Sequence, residues 1–451
     1  MLWCDRSVAR HARRLASVLL VVALTLACAA VAEAQNFVTG RSVGGVSIDP
    51  MGIMANVELA RGGEFDKIRL EAVPNGMKQA SNLRKISLKR LNAYIDEQMR
   101  LGKPLPEAVH CMAGLQQIRY VLVYPDQQDI VLAGFGEGWK LDKKGVVVGE
   151  TTGRPVLLLD DFLTALRSLG GNVRSPMQVS IDPTPEGMQR LAAFAKRGLT
   201  PDPNAMSAAV EGTLGPQTIT IAGVPGTSHF ARVMVAADYR MKRISMGLEP
   251  SPVAGLPPFT DFLRAGGAGM SNMLPRWWLE PNYDALLRDA DGLSWEIRGG
   301  SVKAMAENDF FDAHGIQRPT GKTDAASQRW ADAMTSRYPD LAKAEPVFGQ
   351  LRNCMDLAVA AALLHKENLA QKARVDLGQL FGAAGAPTAK LDAPKQVASK
   401  SAVARKGKKW MIAAGGVALN PWSIVDKAQT NEAIVAVRMK AATNTNSWWW
   451  D

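Results

Sequence analysis

The chain has 451 residues and a formal net charge of +10. That length is enough for a large core and two or more domains. The excess positive charge lies mostly in the first residues and in 383–410, leaving a nearly neutral body, which argues against nucleic acid as a partner.

The N-terminus carries Arg6, Arg10, Arg13 and Arg14, then an apolar run from Leu15 to Ala32, then Ala32 and Ala34 around Glu33 before Gln35. This is the layout of a secretory signal peptide over residues 1–34. It predicts an exported protein, periplasmic or extracellular. Lipidation at Cys28 is a minor alternative, since Thr25 stands where a lipobox prefers leucine. No later apolar run is long enough to span a bilayer, and Leu357–Leu364 reads as a buried helix. Removal of the signal leaves Cys111 and Cys354 as a candidate disulfide in an oxidising compartment, or else as two buried thiols.

In chain order, residues 35–60 read as a strand and hairpin, and 81–115 as helical, with Leu83, Ile86, Leu88, Leu91, Tyr94, Ile95 and Met99 on one broad face. Ile118–Pro125 and the following DIVLAG are two strands joined by a turn at Pro125–Gln128. GVVVGE and RPVLLLDD continue the β character, and FLTALRSLGG is a short helix. From residue 176 the pattern is strand MQVSID, helix PEGMQRLAAFAKRG, strand TITIAG, strand ARVMVAAD and helix YRMKRISMGL. A Gly/Pro-rich section (Glu249–Pro275) leads to WWLEP, the strands SWEIRGGSVKAM, and helices near Gln328–Met334 and Val347–Glu367.

The stretch 383–410 reads as a basic flexible linker, and 411–451 as a C-terminal strand segment with a Trp-rich tail. GGVSIDP (44–50), VSIDP (179–183) and GGVALNP (415–421) echo one another as strand-to-turn junctions. The fold class is α+β, with α/β as the alternative: a region at 35–175 and a second at 176–382 with a helical end.

Four stretches invite a chemical reading. In DIVLAGFGEGWKLD (129–142), Gly134, Gly136 and Gly138 are spaced G-x-G-x-G and lead into another β-like run, so the stretch reads as a turn. A dinucleotide loop would open a helix, and the partner motifs of a kinase loop are missing. Ser228 and His229 adjoin in GTSHF, which lacks the last glycine of a G-x-S-x-G elbow. Glu307, Asp309, Asp312 and His314 form the densest polar cluster, able in principle to bind a cation or act as acid and base. The duller reading is a solvated loop at a helix start. Asp238, Arg240, Lys242 and Arg243 make a candidate anion-binding set, with Asp238 at a strand end, although an i, i+4 ion pair of Asp238 with Lys242 is the simpler account. No cofactor and no zinc site are expected. Trp448, Trp449 and Trp450 suit glycan stacking or a membrane interface, or dock back on the body.

ISLKRLNAYI, MAGLQQIRYVLVYPDQQDIVLAGFGEGW, SHFARVMVAADYRMKRISMG, RWWLEPNYDAL and LRNCMDLAVAAALL together resemble an uncharacterised family of exported bacterial proteins labelled only as a domain of unknown function. The resemblance runs from about Gly44 to Glu367. It implies a shared architecture and an envelope or extracellular setting, and supplies no activity, cofactor or catalytic residue. The resulting expectation is a non-enzymatic binding or structural component of the cell envelope, in contact with envelope glycan, the membrane surface or another envelope protein. The alternative is an envelope hydrolase or metal-dependent enzyme using the Glu307, Asp309, Asp312 and His314 cluster.

Overall fold

The computed structural model describes residues 46–48, 51–56, 72–171, 173–196, 202–266, 274–311, 317–403, 410–411, 413–442 and 449–451. The chain enters with β1 (Val46–Ile48) and β2 (Ile53–Asn56); β3 (Ser81–Ser87) then runs directly into α1 (Leu88–Arg100). Strands β4 (Tyr120–Tyr124), β5 (Asp129–Gly136), β6 (Trp139–Leu141) and β7 (Val147–Gly149) precede α2 (Leu159–Leu169). Next come β8 (Met177–Asp182), α3 (Pro185–Lys196), α4 (Pro203–Leu214), β9 (Gln217–Ala222), α5 (His229–Ser245) and α6 (Phe259–Gly266). Then follow β10 (Leu274–Asn282), β11 (Leu287–Arg288), β12 (Ser294–Glu296), β13 (Ser301–Phe311), β14 (Gln317–Pro319), α7 (Ala325–Ala344) and α8 (Pro346–Lys366). The last elements are β15 (Gln396–Val397), β16 (Ala402–Val403), β17 (Trp410–Met411), β18 (Ala414–Leu419), β19 (Gln429–Thr430) and α9 (Ile434–Ala441).

Two mixed sheets organise these elements, and the fold is α+β. One has nine strands in the order β1-β2-β15-β9-β8-β18-β10-β13-β14, the other six in the order β19-β11-β12-β4-β5-β3. Strands β11 and β12, from the second sequence region, extend the sheet begun by β3, β4 and β5 in the first. Side chains along β10 alternate: Trp277 and Leu279 are fully buried, while Trp278 and Glu280 are half-buried. The inner face carries a ring stack in which Trp277 lies 4.9 Å from both Phe259 and Trp330. Helix α8 runs through the core, packed on α2, α5 and α7. Against the expectation that no later run is long enough to span a bilayer, α8 is, among the described residues, the one helix long and apolar enough to do so; 94% of its apolar window is buried inside the protein, in keeping with Leu357–Leu364 as a buried helix.

Several expectations change. The segment 81–87 is strand β3, and the helix begins only at Leu88, where Ser87 caps the Arg90 N–H. The run ARVMVAAD belongs to one helix, α5, capped by Ser228 and ended before Gly247 at φ +69°. Val233 and Val235 suggest a strand, but this helix is buried nearly all round and so shows no polar face in its sequence. The described part of the expected flexible linker, 383–403, is built into the fold: β15 pairs with β2 and β9 in the nine-stranded sheet, Leu391 N–H donates to Thr227 O at 2.8 Å, and Ala386 and Val397 are buried. Its composition lacks apolar periodicity because backbone pairing holds it. Cys111 and Cys354 are free, buried thiols, so the candidate disulfide is absent; each packs as a small hydrophobe.

The tail is also different from an exposed aromatic cluster. Trp448 lies outside the described residues, but Trp449 is buried and Trp450 half-buried. Residues 449–451 add to the β3 edge: Lys85 and Asp451 exchange backbone hydrogen bonds of 2.9 Å, and Ser87 N–H donates to Trp449 O at 2.8 Å. The Lys85 ammonium pairs with the Asp451 carboxylate, and the Trp450 ring covers Gly76, where a Cβ would collide with it.

Candidate functional site

A cleft of about 410 Å³ opens where the parallel strands β10 and β18 both end. Ligand sites in open sheets tend to form at such strand ends. Ala418 on β18 lies opposite Gln178 on β8, and both line the cleft. Glu280 and Asn282 close β10 along one wall, while Asn420, Ser423 and Lys427 follow β18 along the other. Pro421, just after Asn420, follows the end of β18.

The polar groups of the cleft fall into two sets. Glu280 lies opposite Lys303 in the β10–β13 ladder; their side chains pair at 3.4 Å, and Trp278 Nε1 donates to Glu280 Oε1 at 2.6 Å. Tyr283 donates its hydroxyl to Asp356 on α8, which anchors the ring to the core. Burial raises the Asp356 carboxyl to about 6, against the pull of Arg352 and of the Tyr283 hydrogen bond. By contrast, the side chains of Gln178, Asn282, Asp284 and Lys427 have no hydrogen-bond or ion-pair partner among the described residues. These four groups are available to a ligand.

The residues singled out in the sequence lie elsewhere. Asp238 and Lys242 form a buried ion pair of 2.9 Å within α5. The β8–β18 ladder stops at Ser180 opposite Gly416, and Lys242 Nζ donates to the next carbonyl on each strand, Ile181 O at 2.7 Å and Gly415 O at 3.2 Å. Lys242 is thus a tie between a helix and two strands. Burial raises Asp238 to about 6 despite Lys242, and its Oδ1 has no hydrogen-bond partner. Arg240 pairs with Glu249 at 3.1 Å and Glu345 at 3.0 Å, and Arg243 pairs with Glu249 at 2.8 Å. The four residues of the candidate anion site are therefore divided between two internal networks. Asp238 sits inside a helix rather than at a strand end.

Glu307 lies on β13, where its Oε1 accepts from Gly321 N–H at 2.6 Å. Asp309 is on the same strand, opposite Leu274 and Pro319. Asp312 and His314 lie outside the described residues. The described part of this cluster is a strand rather than a loop at a helix start. Ser228 and His229 serve different partners: Ser228 Oγ caps α5 and donates to Pro225 O, while His229 Nδ1 lies 3.0 Å from both oxygens of Asp161. Burial works to lower the imidazole pKa, but the adjacent Asp161 carboxylate outweighs it and raises it.

Most of the glycine-rich stretch is strand and not the expected turn: β5 runs through Gly136, and only Glu137 and Gly138 separate it from β6. A Cβ at Gly134 would collide with Gln117 O, and one at Gly136 would crowd the Arg84 side chain. Between these glycines and Gly138, Glu137 accepts from Gln116 Nε2 at 2.9 Å, from the Thr152 N–H at 3.0 Å and Oγ1 at 2.6 Å, and from the Thr151 N–H and hydroxyl. Burial pushes the Glu137 carboxyl up, yet these hydrogen bonds together bring it down to about 2. The donors to this carboxylate come from Gln116 and from Thr151 and Thr152, outside the glycine-rich stretch, so Glu137 ties that stretch to the segment after β7.

The cleft residues escaped the sequence reading because they come from four separate segments. One signal was present: the GGVALNP echo marked the end of β18, and Asn420 is its penultimate residue.

Residues 179–259, from β8 to the first residue of α6, match a family model described as a protein of unknown function (DUF1598), and the chain therefore carries a domain of unknown function there. The matched stretch is shorter than the resemblance read from the sequence, and it includes both His229 and the Asp238–Lys242 pair. No curated protein and no solved structure matches the chain.

Proposed function

We propose that this protein is an exported, non-enzymatic binding component of the bacterial cell envelope, with the cleft at the ends of β10 and β18 as its ligand contact. One observation carries the reading. The groups suited to acid–base chemistry, His229, Asp161, Asp238 and Asp356, are engaged in buried internal pairs, whereas the open cleft presents Gln178, Asn282, Asp284 and Lys427 without partners. Export rests on the Arg-rich start, the apolar run and the Ala32–Ala34 cleavage pattern. The partner in this reading is an envelope glycan, the membrane surface or an envelope protein, and the setting is periplasmic or extracellular.

Two measurements test it. Fractionation with N-terminal sequencing should recover a chain beginning at Gln35 outside the cytoplasm; a chain retaining residues 1–34 in the cytoplasm would overturn the export. Isolated envelope material should retain the wild type and release the Asn282→Ala, Lys427→Ala double variant. Equal retention of both would remove the cleft from the reading. Truncation of residues 410–451 is unsuitable here, because it removes β18 from the middle of the nine-stranded sheet.

A further inference from the structure

The chemistry of the four unpartnered side chains narrows the ligand class, an inference that rests on the cleft being a binding site. They comprise one carboxylate, one ammonium and two carboxamides: Asp284, Lys427, Gln178 and Asn282. Glu280 and Lys303 neutralise each other, so the available charge is one of each sign. A carboxamide offers both an acceptor and donors, the set that a peptide C=O and N–H group requires. The volume of about 410 Å³ falls in the range of about 300–1,000 Å³ found for small-ligand sites.

Three ligand classes can be compared on that inventory. A neutral oligosaccharide would use Gln178 and Asn282 but would leave the solvent-exposed Asp284 and Lys427 to water, forgoing the charge-assisted hydrogen bonds they offer. A polyanion would meet the Asp284 carboxylate. A zwitterion with amides between its charges satisfies all four groups. We infer that the cleft takes a short peptide with both ends free, its ammonium on Asp284, its carboxylate on Lys427 and its backbone amides on Gln178 and Asn282. These contacts are reversible and involve no covalent step.

The test uses the full chain and calorimetric titration with trialanine, N-acetyl-trialanine, trialanine amide and a neutral N-acetylglucosamine trimer. Free trialanine should bind, and blocking either end should weaken it about tenfold or more, the loss of one charge-assisted hydrogen bond. Asp284→Asn should abolish discrimination against the acetylated peptide while keeping that against the amide, and Lys427→Met should do the reverse. Equal binding of free and blocked peptides would overturn the inference. So would binding of the trisaccharide alone, although a trisaccharide response lost in Asn282→Ala would leave the cleft a binding site. If no probe binds, the peptide assignment falls, and envelope retention of the cleft variants then decides the broader reading separately.

Discussion

Replacing Lys242 with methionine removes the tie between α5, β8 and β18 while keeping most of the apolar stem. Three hydrogen bonds go: those to Ile181 O, Gly415 O and Asp238 Oδ2. Asp238 has a means of relief, since it can take a proton. Its pKa already stands at about 6 instead of the ordinary 3.8, so at pH 7 the paired carboxylate is favoured over the neutral acid by only about 1.4 kcal/mol. Losing Lys242 forfeits about that much, and the neutral acid remains.

The two carbonyls add roughly 1–3 kcal/mol each where they stay buried and unpaired, offset in part because methionine needs no desolvation of an ammonium. The expected cost of Lys242→Met at pH 7 is about 2–5 kcal/mol. The pH dependence separates this account from generic damage. A raised carboxyl pKa means that the native state binds more protons than the unfolded state, so stability falls as pH rises from about 3.8 to about 6 and then levels off. In the variant the Asp238 pKa rises further, so the fall should continue past pH 7. Other buried acids, Asp356 among them, share the direction of the wild-type slope, so the difference between variant and wild type is the quantity to read. Urea denaturation at half-unit steps from pH 4 to pH 8 measures it. A Lys242→Met cost below about 1 kcal/mol at pH 7, or a pH-independent difference, would refute the reasoning.

Three further outcomes follow from the geometry. Trp449→Ala should cost about 3–5 kcal/mol in urea unfolding, the usual range for a buried Trp, whereas a detached tail would cost nothing. Glu137→Gln should lose about 2–3 kcal/mol near neutral pH, because one carboxylate oxygen that accepts hydrogen bonds becomes a donor facing donors. With the Glu137 pKa lowered from 4.5 to about 2, its contribution is present above about pH 4.5 and is lost as pH falls toward 2, so variant and wild type should converge there. Gly134→Ala should destabilise β5 by forcing a Cβ onto Gln117 O, detectable as a lower midpoint in thermal unfolding.

The α+β class, the β4–β5 hairpin, α3, the burial of Leu357–Leu364 and a strand after residue 410 were all legible in the sequence, because each is declared by local periodicity or by turn residues. The continuity of α5 was hidden, since a helix buried nearly all round has no polar face to set its period. The path of residues 383–403 was hidden for a different reason: backbone hydrogen bonds at Leu391, Lys395 and β15 tie it to the fold, and they leave no mark in composition. The Asp238–Lys242 pairing followed from i, i+4 spacing, whereas the two carbonyls that Lys242 also binds come from strands far away in the chain.

By itself the sequence determined the class of fold, the β4–β5 hairpin and the burial of Leu357–Leu364. Only the tertiary structure decided that Gln116, Thr151 and Thr152 close on Glu137, that Cys111 and Cys354 stay apart as thiols, and that Trp449 is buried. It alone gathered Gln178, Asn282, Asp284 and Lys427 into one cleft. The physical reason is range: periodicity and capping act over a few residues, while which strand lies beside which is settled by the burial of a shared core.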